Sequence, residues 1–134
     1  MNEIIKFLEE NPHTYLATVE KGEPRVRPFD FMYGEGNRFY FCTNNQKEVY
    51  NQLMVNPNVE LSVMNNKMEW ARLRGKTVFL DNITVKEKIL EISPIVKSIY
   101  KTADNPALEC FYIEKWEAVI GSLSGKPSKR YKSL

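Results

Sequence analysis

The sequence predicts a mainly β chain with peripheral helices (α+β), built around a six-stranded antiparallel barrel. Three observations lead there. Segments alternating apolar and polar residues are joined by short turns, Lys21-Gly22 and Gly34-Glu35-Gly36-Asn37, which suit hairpins. The element order is helix, three strands, helix, two strands, two helices and a final strand, which is not the regular alternation of a doubly wound sheet. Six antiparallel strands suffice to curl into a small barrel.

Each element has its own signal. Residues 2–10 read as a short helix with Ile4, Ile5 and Leu8 on one face and Asn11-Pro12 as its stop. His13 to Glu20 alternates as a strand, and Lys21-Gly22 turns it into a second one from Pro24 to Tyr33. Arg38 to Thr43 returns as a third strand rich in aromatics. Val49, Tyr50, Leu53 and Met54 then mark one helical face, Asn45 with Glu48 matches a capping box, and Asn56-Pro57 ends the helix.

Val59, Leu61 and Val63 alternate as a fourth strand. Met68 to Leu80 is the fifth, with Ala71, Leu73, Thr77 and Phe79 on one face and Trp70, Arg72, Arg74 and Lys76 on the other. Gly75 in its middle marks a bulge or bend. Thr84 with Glu87 forms a second capping-box signature, and Ser93-Pro94 opens a further helix with proline at its first position. Leu108 to Gly121 is the closing strand. The expected organisation is one barrel domain over 1–121 and a basic C-terminal tail over 122–134 that reads as a mobile, solvated end.

Composition narrows the function classes. With 27% charged and 43% hydrophobic residues the mixture is that of an ordinary globular protein. A net charge of +2 is too small to argue for nucleic acid. No apolar run reaches the ~18 residues of a membrane span, and the start, Met-Asn-Glu-Ile-Ile-Lys, lacks a secretion signal. No membrane partner is expected and the cytoplasm is the expected location. Cys42 and Cys110 have no metal-ligand spacing and are too few for a disulfide scaffold. His13, the single histidine, has no Ser or Cys motif beside it and reads as structural or exposed.

Chemistry concentrates in residues 23–57. Thr43 and Lys47 arrive at a helix N-terminus, whose free N–H groups and partial positive charge favour phosphate. Arg25 and Arg27 on the neighbouring strand offer planar, charge-assisted hydrogen bonds to the same anion. The same arginines, with Arg72, Arg74 and Lys76, also fit the solvent faces of two strands. Lysine at a helix start opposes the dipole, which favours an anionic partner.

This segment resembles the pyridoxamine 5'-phosphate oxidase-like family of flavin mononucleotide (FMN) binding split barrels, one branch of which is nitroimidazole-reductase-like. The resemblance covers Thr14 to Gly75 well and the last strand loosely. It rests on Arg25-Val26-Arg27-Pro28-Phe29-Asp30, then Phe41-Cys42-Thr43 with Lys47 four residues on, then Leu53 with Asn56-Pro57. The ordered set is more specific than any one piece.

The resemblance implies a split barrel with Arg25, Thr43 and Lys47 on the FMN phosphate and Arg27, Pro28 and Phe29 along the isoalloxazine. Arg27 is also the candidate to stabilise charge on the reduced ring. The strand through Trp70, Arg72, Arg74 and Gly75 would supply the partner face of the flavin site in a homodimer. With few acids, bases or nucleophiles in the chain, redox chemistry on a small molecule would come from the cofactor. The implied function is a small FMN-dependent oxidoreductase, with a non-catalytic FMN carrier or sensor as the alternative. Haem is disfavoured because His13 is a poor axial ligand, and a deazaflavin because the Thr43/Lys47 pattern suits an FMN phosphate. The end of the chain, with no histidine after His13, departs from the substrate-gripping segment of the authentic oxidases.

Overall fold

The computed structural model describes residues 2–134. It is mainly antiparallel sheet with four helices. In chain order these are α1 (Asn2–Glu10), β1 (His13–Glu20), β2 (Glu23–Asp30), β3 (Tyr33–Glu35), β4 (Arg38–Asn44), α2 (Glu48–Val55), β5 (Asn58–Met64), β6 (Glu69–Leu80), α3 (Ile83–Ile92), α4 (Pro94–Tyr100), β7 (Leu108–Ser122) and β8 (Lys129–Lys132). Hydrogen-bonded neighbours run β2-β1-β5-β6-β7-β4-β3, with β8 added beside β7.

Among the described residues the strand count is eight, not the expected six, for two reasons. The strand predicted over 24–33 divides after Asp30: Phe31 N–H still donates to Pro12 O, opposite it in the β1 register, and Met32 N–H then turns to Tyr40 O of β4. Within the segment 122–134, expected as a mobile, solvated tail, Lys129–Lys132 returns as β8 along β7 from Glu117 to Ile120. Tyr131 anchors β8 to α1 by donating its hydroxyl to Glu3 at 2.6 Å, and Ser133 bonds both backbone groups of Trp116. Among the described residues β2 and β3, the ends of the path, share no ladder.

Alternation on the strands builds two cores. Leu16, Phe39, Phe41, Leu61, Leu73, Phe111, Ile113 and Trp116 fill the concave side together with Ile4 and Leu8 of α1 and Leu53 of α2. Residues of the other parity on β4 and β7, Tyr40, Cys110 and Tyr112, pack beneath Ile89 and Leu90 of α3 and Tyr100 of α4. The long β6–β7 ladder shifts register between Arg74 and Lys76, at Gly75. A Cβ there would stand 2.7 Å from the Glu114 carbonyl oxygen, so only glycine fits without displacing backbone.

Helix ends differ in part from the sequence signals. Ser93 caps α4 as its Oγ accepts from Val96 N–H at 3.2 Å, with Pro94 following. Helix α3 is capped by Asn82, which accepts from Val85 N–H, and not by the Thr84/Glu87 box. The Asn45/Glu48 box does not form either, because Asn45 is drawn away to Pro106 O and Glu109.

Candidate functional site

Strand β4 ends at Asn44, and two asparagines shape the turn into α2. Asn44 Oδ1 accepts from Gln46 N–H at 2.8 Å while its carbonyl accepts from Lys47 N–H at 3.0 Å. Asn45 ties the other side of the turn to Pro106 O at 2.8 Å. The turn makes Lys47 the N-cap residue of α2, in extended conformation and with no side-chain cap. The free N–H groups of this helix start, normally covered by a capping oxygen, are left for another acceptor.

A cleft of about 270 Å³ lies at this turn. Pro28 and Phe29 of β2, Thr43 of β4 and Lys47 line it, so four of the sequence-predicted site residues converge. Thr43 is 4% exposed, and its hydroxyl is the buried side-chain polar atom without a hydrogen-bond partner among the described residues. A buried unpartnered hydroxyl costs about 1–3 kcal/mol, and a ligand oxygen in the cleft would relieve that cost.

The two arginines of β2 part company. Both lie on the strand face opposite buried residues of β1, Arg25 across from Thr18 and Arg27 across from Leu16. Arg27 is half-buried and donates to Thr18 Oγ1 at 2.8 Å and to Gln52 Oε1 of α2. Burial lowers its pKa from the ordinary 12.5, and Glu48 and Glu20 act the other way; it remains a cation. Arg25 is exposed and ion-paired with Glu20 at 3.5 Å and Glu23 at 3.3 Å. At ~3.3 Å per residue Arg25 sits roughly 13 Å along the strand from Phe29, and Arg27 about half that. Arg27 is thus the arginine nearer the cleft.

Trp70 and Arg72 are not brought to the cleft within one chain. Register runs from Pro28 to Tyr15, Ser62 and Arg72 across four adjacent strands. Three strand spacings of ~4.8 Å separate Pro28 and Arg72 by roughly 14 Å. Arg72 lies over the Trp70 ring at 5.0 Å, and the indole covers Gly121, where a Cβ would collide with it.

The sequence reading missed the far wall of the cleft: Asp30, Met32, Ser93, Ile95, Val96, Ile99 and Tyr100. Ile95 and Ile99, one turn apart on α4, are 65% and 59% exposed; that apolar spacing with no core to meet was the available signal. Cys42 also lines the cleft. Burial, with Cys110 beside it, pushes its thiol from 9.0 up to about 12, so it stays protonated and is no nucleophile at neutral pH.

The sequence profile described as pyridoxamine 5'-phosphate oxidase matches residues 1–119. A crystal structure of a NimC/NimA family protein from Clostridium acetobutylicum is similar over 100% of this chain and 92% of that one, at 37% identity and a TM-score of 0.90. The fold is shared with a pyridoxamine 5'-phosphate oxidase-related, FMN-binding protein from Nostoc punctiforme, at 17% identity and a TM-score of 0.70 over 96% of this chain and 84% of that one. It is also shared with a heme-binding protein from Mycobacterium smegmatis, at 11% identity and a TM-score of 0.72 over 93% of this chain and 55% of that one. No curated protein matches the chain at a significant level. A profile match of that length, together with the cleft at the β4–α2 turn, places the chain in the pyridoxamine 5'-phosphate oxidase family.

Proposed function

We propose that the chain binds FMN at the β4–α2 turn and serves as a small FMN-dependent oxidoreductase, distinct from the authentic pyridoxamine 5'-phosphate oxidases. The observation that carries this is the buried, unpartnered hydroxyl of Thr43 beside Lys47 at an uncapped helix start. That donor set suits a phosphate: one hydroxyl, one ammonium and free backbone N–H groups. Arg27, which holds Gln52 of α2, is the arginine assigned here to join it, with Pro28 and Phe29 bordering the flavin. Arg25, neutralised by two glutamates, is the weaker candidate.

Bound FMN would supply hydride chemistry, while the chain holds, orients and shields it. Trp70 and Arg72 would complete the site from a second copy, making the working form a homodimer; aromatic residues and arginine are enriched at interface cores. The Nostoc punctiforme relative is named as FMN-binding, which supports the cofactor. Haem fits less well, because the single histidine, His13, already engages Asp30.

Titration of the purified protein with FMN tests the binding, and anaerobic reduction followed by reoxidation with candidate acceptors tests the activity. Binding with no acceptor-dependent reoxidation would leave a carrier or sensor. Light scattering of the FMN-bound form should give twice the mass of the chain.

A further inference from the structure

A second cleft, of about 510 Å³, adjoins the first, and the two share Asp30, Met32, Ser93 and Ile95. It opens between α4 and the bend that joins β2 to β3. Pro12, Phe31, Met32, Ile92 and Ile95 make its walls mostly apolar. Ile92 and Ile95 leave 44% and 65% of their surface open to solvent, which is apolar area available to a ligand.

One pair breaks that apolar lining. His13 and Asp30 are directly opposed in the β1–β2 ladder, and His13 Nδ1 lies 2.9 Å from Asp30 Oδ1. The carboxylate accepts, so Nδ1 carries a proton and Nε2 is the nitrogen without a partner among the described residues. The other titratable groups lining this cleft are Glu9 from α1 and Tyr33 from β3. An apolar concavity with a few convergent polar groups is the usual form of a small-molecule site.

We propose that this second cleft is the substrate subsite, that it takes a small, uncharged, flat carbonyl acceptor of the quinone class, and that His13 supplies the proton for its reduction. The inference rests on the FMN reading above. Apolar walls suit an uncharged substrate, and the carboxylates of Glu9 and Asp30 at the same cleft repel an anionic one. Reduction of a carbonyl leaves an oxygen that must be protonated, and in the protonated ring the unpartnered Nε2 of His13 is the nitrogen that can donate at the cleft. The acceptor gains two electrons and one proton as hydride from the reduced cofactor, and its second proton from His13. The cofactor ends oxidised, and the imidazole regains its proton from water. Asp30 is a positioning residue that fixes the ring and its tautomer.

Menadione is the probe. Titrated into FMN-free protein, it should shift the methyl resonances of Met32, Ile92 and Ile95 saturably. The shifts should persist in His13→Ala, whose thermal midpoint should match the parent's because the position is exposed. After anaerobic reduction of the FMN-bound protein by dithionite, reoxidation by menadione should slow at least tenfold in His13→Ala and recover with added imidazole. Asp30→Asn should lower the rate with little change in the methyl shifts. Absent or scattered methyl shifts overturn the subsite, and wild-type reoxidation in His13→Ala overturns the proton donor. Failure to bind FMN would overturn the cofactor reading and the proton step with it, while the methyl shifts still decide the subsite.

Discussion

Arg27 donates to the buried hydroxyl of Thr18 at 2.8 Å, and that hydroxyl in turn donates to Gln52 of α2 at 2.6 Å. The arginine therefore clasps the helix whose first turn bounds the candidate cleft. Removing it should disturb the fold and, under the FMN reading, the site as well. Arg27→Ala should cost about 1–2 kcal/mol of stability, the scale of hydrogen bonds to a charged group after allowance for solvent. The same variant should weaken FMN binding about tenfold or more. Arg25→Ala, which loses only exposed ion pairs, should cost less than about 1 kcal/mol and leave FMN affinity within about twofold. Urea unfolding and FMN fluorescence titration of the two variants check this; equal effects on FMN binding would restore Arg25 to the site.

Thr43 gives a prediction whose sign differs between free and bound protein. Its hydroxyl is buried without a partner, so Thr43→Val keeps the shape and removes an unsatisfied group. The FMN-free variant should be as stable as the parent or more so. FMN binding should nevertheless weaken by roughly fivefold to tenfold, one lost hydrogen bond to an anion. Thermal midpoints with and without FMN read both halves in one experiment.

The two thiols set an alkaline limit. Burial pushes Cys42 and Cys110 from 9.0 to about 12, and Tyr33, mainly through burial, from 10.0 to about 12. In the unfolded chain these groups ionise near their ordinary values, so between about pH 8.5 and 12 the native state binds more protons than the unfolded one. Their contribution to stability is fully present below that window and is lost as pH rises through it. Urea midpoints should fall from about pH 8 to about pH 10.5. The double variant Cys42→Ala/Cys110→Ala should fall less steeply; an equal slope would remove the thiols from the explanation.

Much of the fold was legible because local signals and tertiary demands agreed. His13–Glu20, the stop at Asn56-Pro57, the Ser93-Pro94 helix start and the irregularity at Gly75 all appear where the residues put them. The break between β2 and β3 was not legible. Phe31, Met32 and Tyr33 form an apolar run with no Gly or Pro, and only the Tyr40 carbonyl of β4 diverts the chain at Met32. Strand β8 was hidden because Lys129-Arg130-Tyr131-Lys132 has one apolar residue and no alternation; the edge of β7 and Glu3 define it. The capping boxes at Asn45 and Thr84 failed because asparagine side chains found longer-range or earlier partners.

The site divides in the same way. Thr43, Lys47, Pro28 and Phe29 could be read from one stretch of sequence, and they line one cleft. The α4 wall depends on packing of segments far apart in the chain, which one sequence does not display, whereas the pairing of His13 with Asp30 follows from the register of the β1–β2 hairpin.

The central claim is phosphate recognition by Thr43 and Lys47 at the start of α2. Parallel fluorescence titrations with FMN and with riboflavin, which lacks the phosphate, measure it most directly. FMN should bind at least about tenfold more tightly, since a charge-assisted contact is worth about 1.5–3 kcal/mol, and Lys47→Ala should remove most of the difference. Equal affinity for the two flavins, or an FMN preference untouched by Lys47→Ala, would contradict it.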